Sequence, residues 1–517
     1  MADRIPDVLF SQLAEFLAAK MGLYFPRERW RDLERGIESA ARDFGFPSVE
    51  SCIQKLISSS WEKGQIEILA SHLTVGETYF FREKNTFSAL EEHIFPDLIR
   101  SRRRDQRRLR IWSAGCATGE EPYSVAILLH KLIPNLRDWN VTILATDINP
   151  SFLQKATRGV YSEWSFRDTP LWVKESYFKR HKEGRYEILP EIRKMVTFSY
   201  LNLAEDSYPS LLNNTTAMDL ILCRNVLMYF APERASKAIH KLHCALTDGG
   251  WLIVSPSEAS HVLFSQFVTV NLGEAILYSK AGVKDQGLGF GSESSGVRAH
   301  EPTATDHAAE VESWAMALPT IPDPRPPTPD PQKIGTLEHR KSQNLPPDCY
   351  AEAVALYDRG RYEEAAGMLS LWLSANETNA QAMALLARSY ANQGKLADAL
   401  EWCGKALAKD KLNPSFHFLM GMILQERGAI EDAMKSLKRS LYLDQNFALA
   451  HFALGSLALR QGRQMESNKH FENALSLLSA RGPEEILPES DGLTAARLRE
   501  IIGVLRRSPN GRSPKAD

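Results

Sequence analysis

No run of about 18 consecutive apolar residues occurs in the 517-residue chain, so no membrane-spanning helix is expected. The opening MADRIPD lacks the apolar stretch of a secretory leader. Six cysteines (Cys52, Cys116, Cys223, Cys244, Cys349 and Cys403) form no C-x-x-C pair, which argues against a disulfide framework and a zinc site. Net charge is also missing: 62 Lys+Arg against 64 Asp+Glu leaves −2, so no global field favours nucleic acid or an anionic membrane. Neither G-x-G-x-x-G nor G-x-x-x-x-G-K-[ST] follows a strand, which weighs against NAD and ATP. What remains is a soluble, cytoplasmic chain, long enough for several cores.

Against these absences one stretch stands out, Leu109 to Gly119, reading LRIWSAGCATG. A short apolar run ends in a turn of small residues, and a helix begins near Pro122. Strand, glycine turn and helix open a βαβ unit, and Gly115 in that turn lets a ligand approach the backbone. A second apolar run, Val141 to Thr146, ends in Asp147, 28 residues after Gly119. A carboxylate there is placed to accept from a ribose diol. An adenosyl ligand without a pyrophosphate fits, and S-adenosylmethionine is such a ligand. The alternative is a plain doubly wound domain in which Asp147 is incidental. Further apolar runs end in Leu201-Asn202-Leu203 and Arg224-Asn225, where open α/β sheets bind ligands.

Before this sheet, periodicity predicts helices over about 8–72, with one stripe at Val8, Leu9, Leu13, Phe16 and Leu17 and another at Leu33, Ile37, Ala40 and Ala41. Arg27, Arg29, Arg31, Arg35 and Arg42 load this region with positive charge; they either solvate a helix face or meet an acidic partner. Phe80-Phe81-Arg82 reads as an aromatic anchor that holds an arginine towards a site. The basic stretch Arg100 to Arg108 has no interleaved aromatics and reads as a solvated loop. An aromatic insertion over about 159–195 is too long for a simple connection and predicts a small subdomain.

ETYFFRE (77–83), SAGCATGEEPYS (113–124), ATDIN (145–149), LNL (201–203) and CRNVLMYF (223–230) follow in order. Together they resemble the CheR-type chemoreceptor glutamate methyltransferases over residues 8–281. The resemblance implies an α/β, Rossmann-like class I methyltransferase domain at 85–281, behind an all-α N-terminal domain at 1–84, with the insertion as a β-subdomain. It implies that Thr78, Arg82, Glu121, Asp147, Asn202, Leu203, Arg224 and Asn225 contact S-adenosyl-L-methionine, and that Arg82 and Tyr229 lie nearest the methyl group and the incoming carboxylate. The implied substrate is the cytoplasmic helical domain of a chemoreceptor. The sequence departs from the family at Gly76, where an asparagine is usual. It departs again in the insertion, whose turn carries Gly184 alone, so docking of a receptor's C-terminal pentapeptide is not expected.

Residues 282–345, rich in proline and glycine, read as a disordered linker. Beyond it Gly360, Gly394, Gly428 and Gly462 recur every 34 residues, in step with Ala353, Ala387, Gly421 and Gly455 and with Ala365, Ala399, Ala433 and Ser467. That is the period of an all-α tetratricopeptide solenoid, with four repeats over 346–481 and a capping helix and tail over 482–517. Such repeats bind a protein partner, unidentified from the sequence. They are expected to fold independently of the catalytic sheet. Competing readings are a methyltransferase for another substrate class and a scaffold that binds S-adenosylmethionine without turnover.

Overall fold

In the computed structural model, residues 6–58, 63–102, 107–181, 184–281, 349–490 and 492–507 are described. The expected linker, Arg103 and Arg104, and the tail after 507 lie outside them. The chain divides into two compact units, 1–288 together with 413–517, and 289–412.

The first unit is built on a seven-stranded sheet of order β6-β2-β1-β7-β8-β10-β9. Its strands are β1 (Arg108–Ala114), β2 (Asn140–Asp147), β6 (Val196–Tyr200), β7 (Met218–Leu222), β8 (Leu246–Ile253), β9 (Val268–Leu272) and β10 (Ala275–Ser279). The five strands β6, β2, β1, β7 and β8 run parallel, while β10 is antiparallel to both its neighbours. Every residue of β1 and β7 is buried, which explains their continuous apolar runs. Strand order reverses at β1, which has β2 on one side and β7 on the other, and crevices open at such a switch point. The insertion forms its own three-stranded sheet of β3 (Val160–Tyr161), β5 (Tyr186–Ile188) and β4 (Phe178–Arg180).

The N-terminal region contributes the α-helices Asp7–Met21, Trp30–Phe44, Val49–Ser58 and Lys63–Leu73, and the helices Lys84–Ala89 and Phe95–Arg102 lead from them into the sheet. Leu33, Ile37, Ala40 and Ala41 are buried as their spacing predicts. The first stripe is corrected: Phe10, Leu13, Leu17 and Met21 face the core, whereas Val8 is exposed. Val8 stands in the first turn, ahead of the packed face. The first four of these helices sit over the carboxyl ends of the strands. The Tyr24 N–H donates to the Tyr229 carbonyl at 2.7 Å, and Asn149 Nδ2 donates to the Ala70 carbonyl at 3.2 Å.

The 34-residue period becomes helix pairs with left-handed glycines at the turns. Gly360 (φ 73°) and Gly394 (φ 75°) turn the pairs Cys349–Asp358/Tyr362–Ala375 and Ala380–Asn392/Leu396–Lys409 of the second unit. Gly428 (φ 84°) and Gly462 (φ 74°) do the same for Pro414–Glu426/Ile430–Leu443 and Ala448–Arg460/Gln464–Ser479 in the first. Helices cross closely at Gly421 and Gly455, where an added Cβ would lie 2.7 Å from Leu437 and Phe471 respectively.

Two expectations from the sequence change here. Arg108 is not part of a solvated loop: it opens β1, is buried, and pairs with Glu426 at 3.2 Å. The later repeats are not independent of the sheet either, because the same Glu426 also pairs with buried Arg110. Charges more than 300 residues apart in sequence meet only after folding. Among the described residues no helix is long and apolar enough to cross a membrane.

Candidate functional site

The carboxyl ends of β1, β2, β6 and β7 open onto a cleft of about 1000 Å³, its open mouth included. Thr78, Arg82, Gly115, Glu121, Asp147, Asn202, Leu203, Arg224, Asn225 and Tyr229 all line it, so the structure brings together every site residue expected from the sequence.

Each is held by its own local chemistry. Gly115 has φ 86°, and a Cβ there would fall 2.3 Å from Val226 Cγ2. The turns after β1 and β7 therefore touch, and glycine alone permits it. The N–H groups of Gly115 and Cys116 both donate to the Thr146 carbonyl, at 2.8 and 2.9 Å, which shapes the turn against β2. Asp147 accepts from the N–H of Ala117 at 2.9 Å and of Asn149 at 2.8 Å. Burial pushes its carboxyl up to about 6, and backbone N–H groups of Asn149, Ala117 and Ile148 oppose that shift. Near pH 7 it is an ionised acceptor with lone pairs to spare.

Arg224 is buried between two carboxylates, with Nη1 3.0 Å from Glu121 and Nη2 2.9 Å from Glu83. Burial disfavours its charge, but Glu121 and Glu83 outweigh this and its pKa is raised. Its Nη2 also donates to the Arg82 carbonyl at 2.7 Å, tying the 77–83 segment to the end of β7. Glu121 accepts from Ser113 Oγ at 2.7 Å as well, so part of its acceptor capacity serves the protein. Asn202 is more fully engaged: its amide donates to the Lys20 carbonyl at 2.8 Å and to Glu205 at 3.1 Å, and its Oδ1 accepts from the Ala204 N–H at 3.0 Å.

The aromatic anchor forms as expected. Phe80 packs against Tyr161, Phe166 and Phe178 with ring centroids 4.9 to 5.0 Å apart, and Phe81 against Phe87 at 5.0 Å. Arg82 then lines the cleft, its Nη1 donating to the Glu77 carbonyl at 2.7 Å. Tyr229 reaches the cleft from the turn after β7, with the Arg29 guanidinium 5.7 Å over its ring. Burial pushes the Cys116 thiol up, with Asp147 and Glu121 adding to the effect, so it stays neutral.

These features fit an adenosyl ligand: a buried ionised acceptor, a turn of small residues opened by Gly115, and apolar walls from Phe87, Ile148 and Phe152. The comparisons decide the family. A model described as the CheR methyltransferase, SAM binding domain, matches residues 76–273. The chain is 32% identical over 264 residues to chemotaxis protein methyltransferase 2 of Vibrio cholerae, covering 51% of this chain and 89% of that one. The chain belongs to the CheR methyltransferase family. Chemotaxis protein methyltransferase 1 of Pseudomonas aeruginosa is 33% identical over 238 residues, or 45% of this chain and 84% of that one. The relative from Borreliella burgdorferi is 30% identical over 250 residues, 48% and 87%. A tetratricopeptide repeat model matches residues 356–423. This CheR-type domain is thus an S-adenosylmethionine-dependent methyltransferase carrying C-terminal repeats.

Sequence reasoning missed two residues of the CheR cleft region. At Gly76 a Cβ would lie 2.5 Å from Phe152, whose ring occupies the space a side chain at 76 would need. Nothing in Pro150-Ser151-Phe152 signals that this ring folds onto Gly76. Glu258, which is buried, accepts the N–H groups of Asn225 (2.7 Å), Val226 (2.7 Å) and Met228 (3.2 Å), which holds Asn225 at φ 57°. A carboxylate in Ser255-Pro256-Ser257-Glu258 looks like a helix cap, and it does cap Ser255 (N–H donor at 3.1 Å) while clamping a distant turn.

Proposed function

We propose that this enzyme transfers the methyl group of S-adenosylmethionine to glutamate side chains on the cytoplasmic helical domain of a chemoreceptor, and that its repeats dock a partner protein. The convergence of all ten expected residues on one cleft supports this reading most directly.

In this reading Asp147 accepts from the ribose and Gly115 lets the ligand reach the backbone. Thr78, Leu203 and Asn225 complete the walls, and Asn202 shapes the loop that carries Leu203. Arg224 acts through its ion pairs, fixing Glu121 and the backbone of Arg82. The cofactor supplies an electrophilic methyl on a sulfonium. A glutamate carboxylate is ionised near neutrality, so it needs no general base. The task of the protein is orientation and exclusion of water, and orientation can supply up to roughly 7–11 kcal/mol. Arg82 offers a charged fork to the incoming carboxylate, and Tyr229 a hydroxyl beside it.

Arg29 connects this chemistry to the N-terminal helices, because its guanidinium lies over both Tyr229 and Phe25. The neighbouring exposed arginines would meet acidic receptor helices, a docking mode that needs no C-terminal pentapeptide. Incubating the protein with labelled cofactor and isolated receptor cytoplasmic domains tests the reading. Base-labile label on receptor glutamates is expected. Label that is absent from every receptor domain, in a chain that binds the cofactor, would refute it.

A further inference from the structure

The helix Ala495–Arg507, which follows the repeats, reaches the edge of the catalytic sheet. Arg497 is buried, with Nε 3.3 Å from Glu205 Oε2 and its guanidinium 4.4 Å over the Tyr200 ring. Tyr200 is the last residue of β6, and Glu205 lies in the loop that follows it. The other carboxylate oxygen, Glu205 Oε1, accepts from Asn202 Nδ2 at 3.1 Å. Asn202 is nearly solvent-free and flanks Leu201 and Leu203 in the cleft wall. One carboxylate thus takes the cleft loop on one oxygen and a guanidinium from the chain's far end on the other.

We propose that Arg497 is a positioning residue for the cofactor, bracing the 201–205 loop through Glu205 and Asn202. The reading rests on the proposed placement of the cofactor against that loop. Lys241 Nζ, which donates to the Glu205 carbonyl at 2.7 Å, fixes the backbone of Glu205 and leaves its side chain to Arg497. Without the guanidinium, the Glu205 carboxylate, already one-third exposed, turns to water. Asn202 then keeps the Lys20 carbonyl but loses its second acceptor, and one buried amide N–H left unpaired is costly. The brace also reaches the repeats: Arg506 on the same helix pairs with Glu472 of Gln464–Ser479 at 3.1 Å. Displacing the end of the repeats would therefore be felt in the cleft. The loop belongs to the catalytic domain, yet its support comes from a segment outside the 76–273 family match.

The test is S-adenosylhomocysteine binding by calorimetry on the full chain, at a temperature where every variant is folded by circular dichroism. Arg497→Ala should weaken binding roughly three- to thirtyfold, the usual span of coupling through a packed network. Glu205→Gln should do the same, and the double variant should lose no more than either single one, because both remove one link. Arg497→Lys, which keeps the charge near Glu205, should recover part of the affinity. Unchanged affinity in folded Arg497→Ala, or additive losses in the double variant, overturns the proposal. Asn202→Ala separates the two levels. If it weakens binding while Arg497→Ala does not, the brace is wrong; if neither does, the placement of the cofactor against this loop has failed and the brace with it.

Discussion

Glu426→Gln should destabilise the first unit although the residue lies outside the catalytic domain. Glu426 ends the helix Pro414–Glu426, is buried, and accepts from Arg108 and Arg110 together. The other Arg110 donors are satisfied by the Thr216 carbonyl at 3.1 Å and by the carbonyl and side chain of Asn214 at 2.9 and 2.6 Å. Arg110 therefore cannot turn away without breaking those bonds. Burial, and then the neighbouring Arg110 charge, lowers the pKa of Arg108 to about 10, against the pull of Glu426 and Asp219. Arg108 therefore stays charged near pH 7, and the amide leaves it and the Arg110 guanidinium facing a neutral group. Removing one partner of a buried pair costs about 3–5 kcal/mol. The loss can instead be capped if the repeat helix lifts off and water reaches the arginines; the cap is then the free energy of docking. Thermal unfolding and hydrogen exchange distinguish the two. Global destabilisation lowers the unfolding temperature, and lifting off exposes amides in β1 and in Pro414–Glu426 at nearly constant unfolding temperature. Replacing the whole set, with Arg108→Met, Arg110→Met and Glu426→Leu, should recover much of the loss, because apolar substitutes for buried ion clusters are often neutral. A Glu426→Gln protein with unchanged unfolding temperature and unchanged exchange in both segments would refute the reasoning.

Four further outcomes are expected. S-Adenosylhomocysteine affinity should fall as pH drops through about 6, because the raised Asp147 carboxyl is ionised only above that value, and Asp147→Asn should be weaker and flat with pH; calorimetry across the range checks both. Arg82→Ala should lose methyl transfer by much more than cofactor affinity, whereas equal losses would make Arg82 a binding residue only. Gly115→Ala should cost roughly 1–3 kcal/mol of stability and weaken cofactor binding, since φ 86° is strained for alanine and Val226 stands in the way; a denaturant midpoint equal to wild type would contradict that. Reversing Arg31 and Arg35 to Glu should raise the receptor KM and flatten its dependence on salt, while an unchanged salt profile would mean that these arginines only solvate their helix.

The N-terminal stripe shows how far periodicity carries. It located the first helix but chose Val8 over Phe10, because a 3.6-residue period tolerates a shift of the apolar face by one or two positions at a helix end. Phe80 and Phe81 were legible because two adjacent aromatics in a polar stretch have few places to go but a core. Phe152 against Gly76 was not, since a missing side chain carries no mark of what fills its space.

Local sequence determined the strand–turn–helix units, the carboxyl-end residues Asp147, Asn202 and Asn225, and the 34-residue repeat, because each depends on backbone preference and spacing within a few tens of residues. Tertiary structure alone decided the ion partners. Arg108 reads as surface until Glu426 arrives, Glu258 as a cap until the turn after β7 closes on it, and nothing in the capping helix marks Arg497 until Glu205 meets it. A charge is worth burying only with its partner in place, and these partners lie from about 30 to more than 300 residues away. Hydrophobic pattern is written along the chain, whereas electrostatic pairing across it exists only once the fold has brought both ends together.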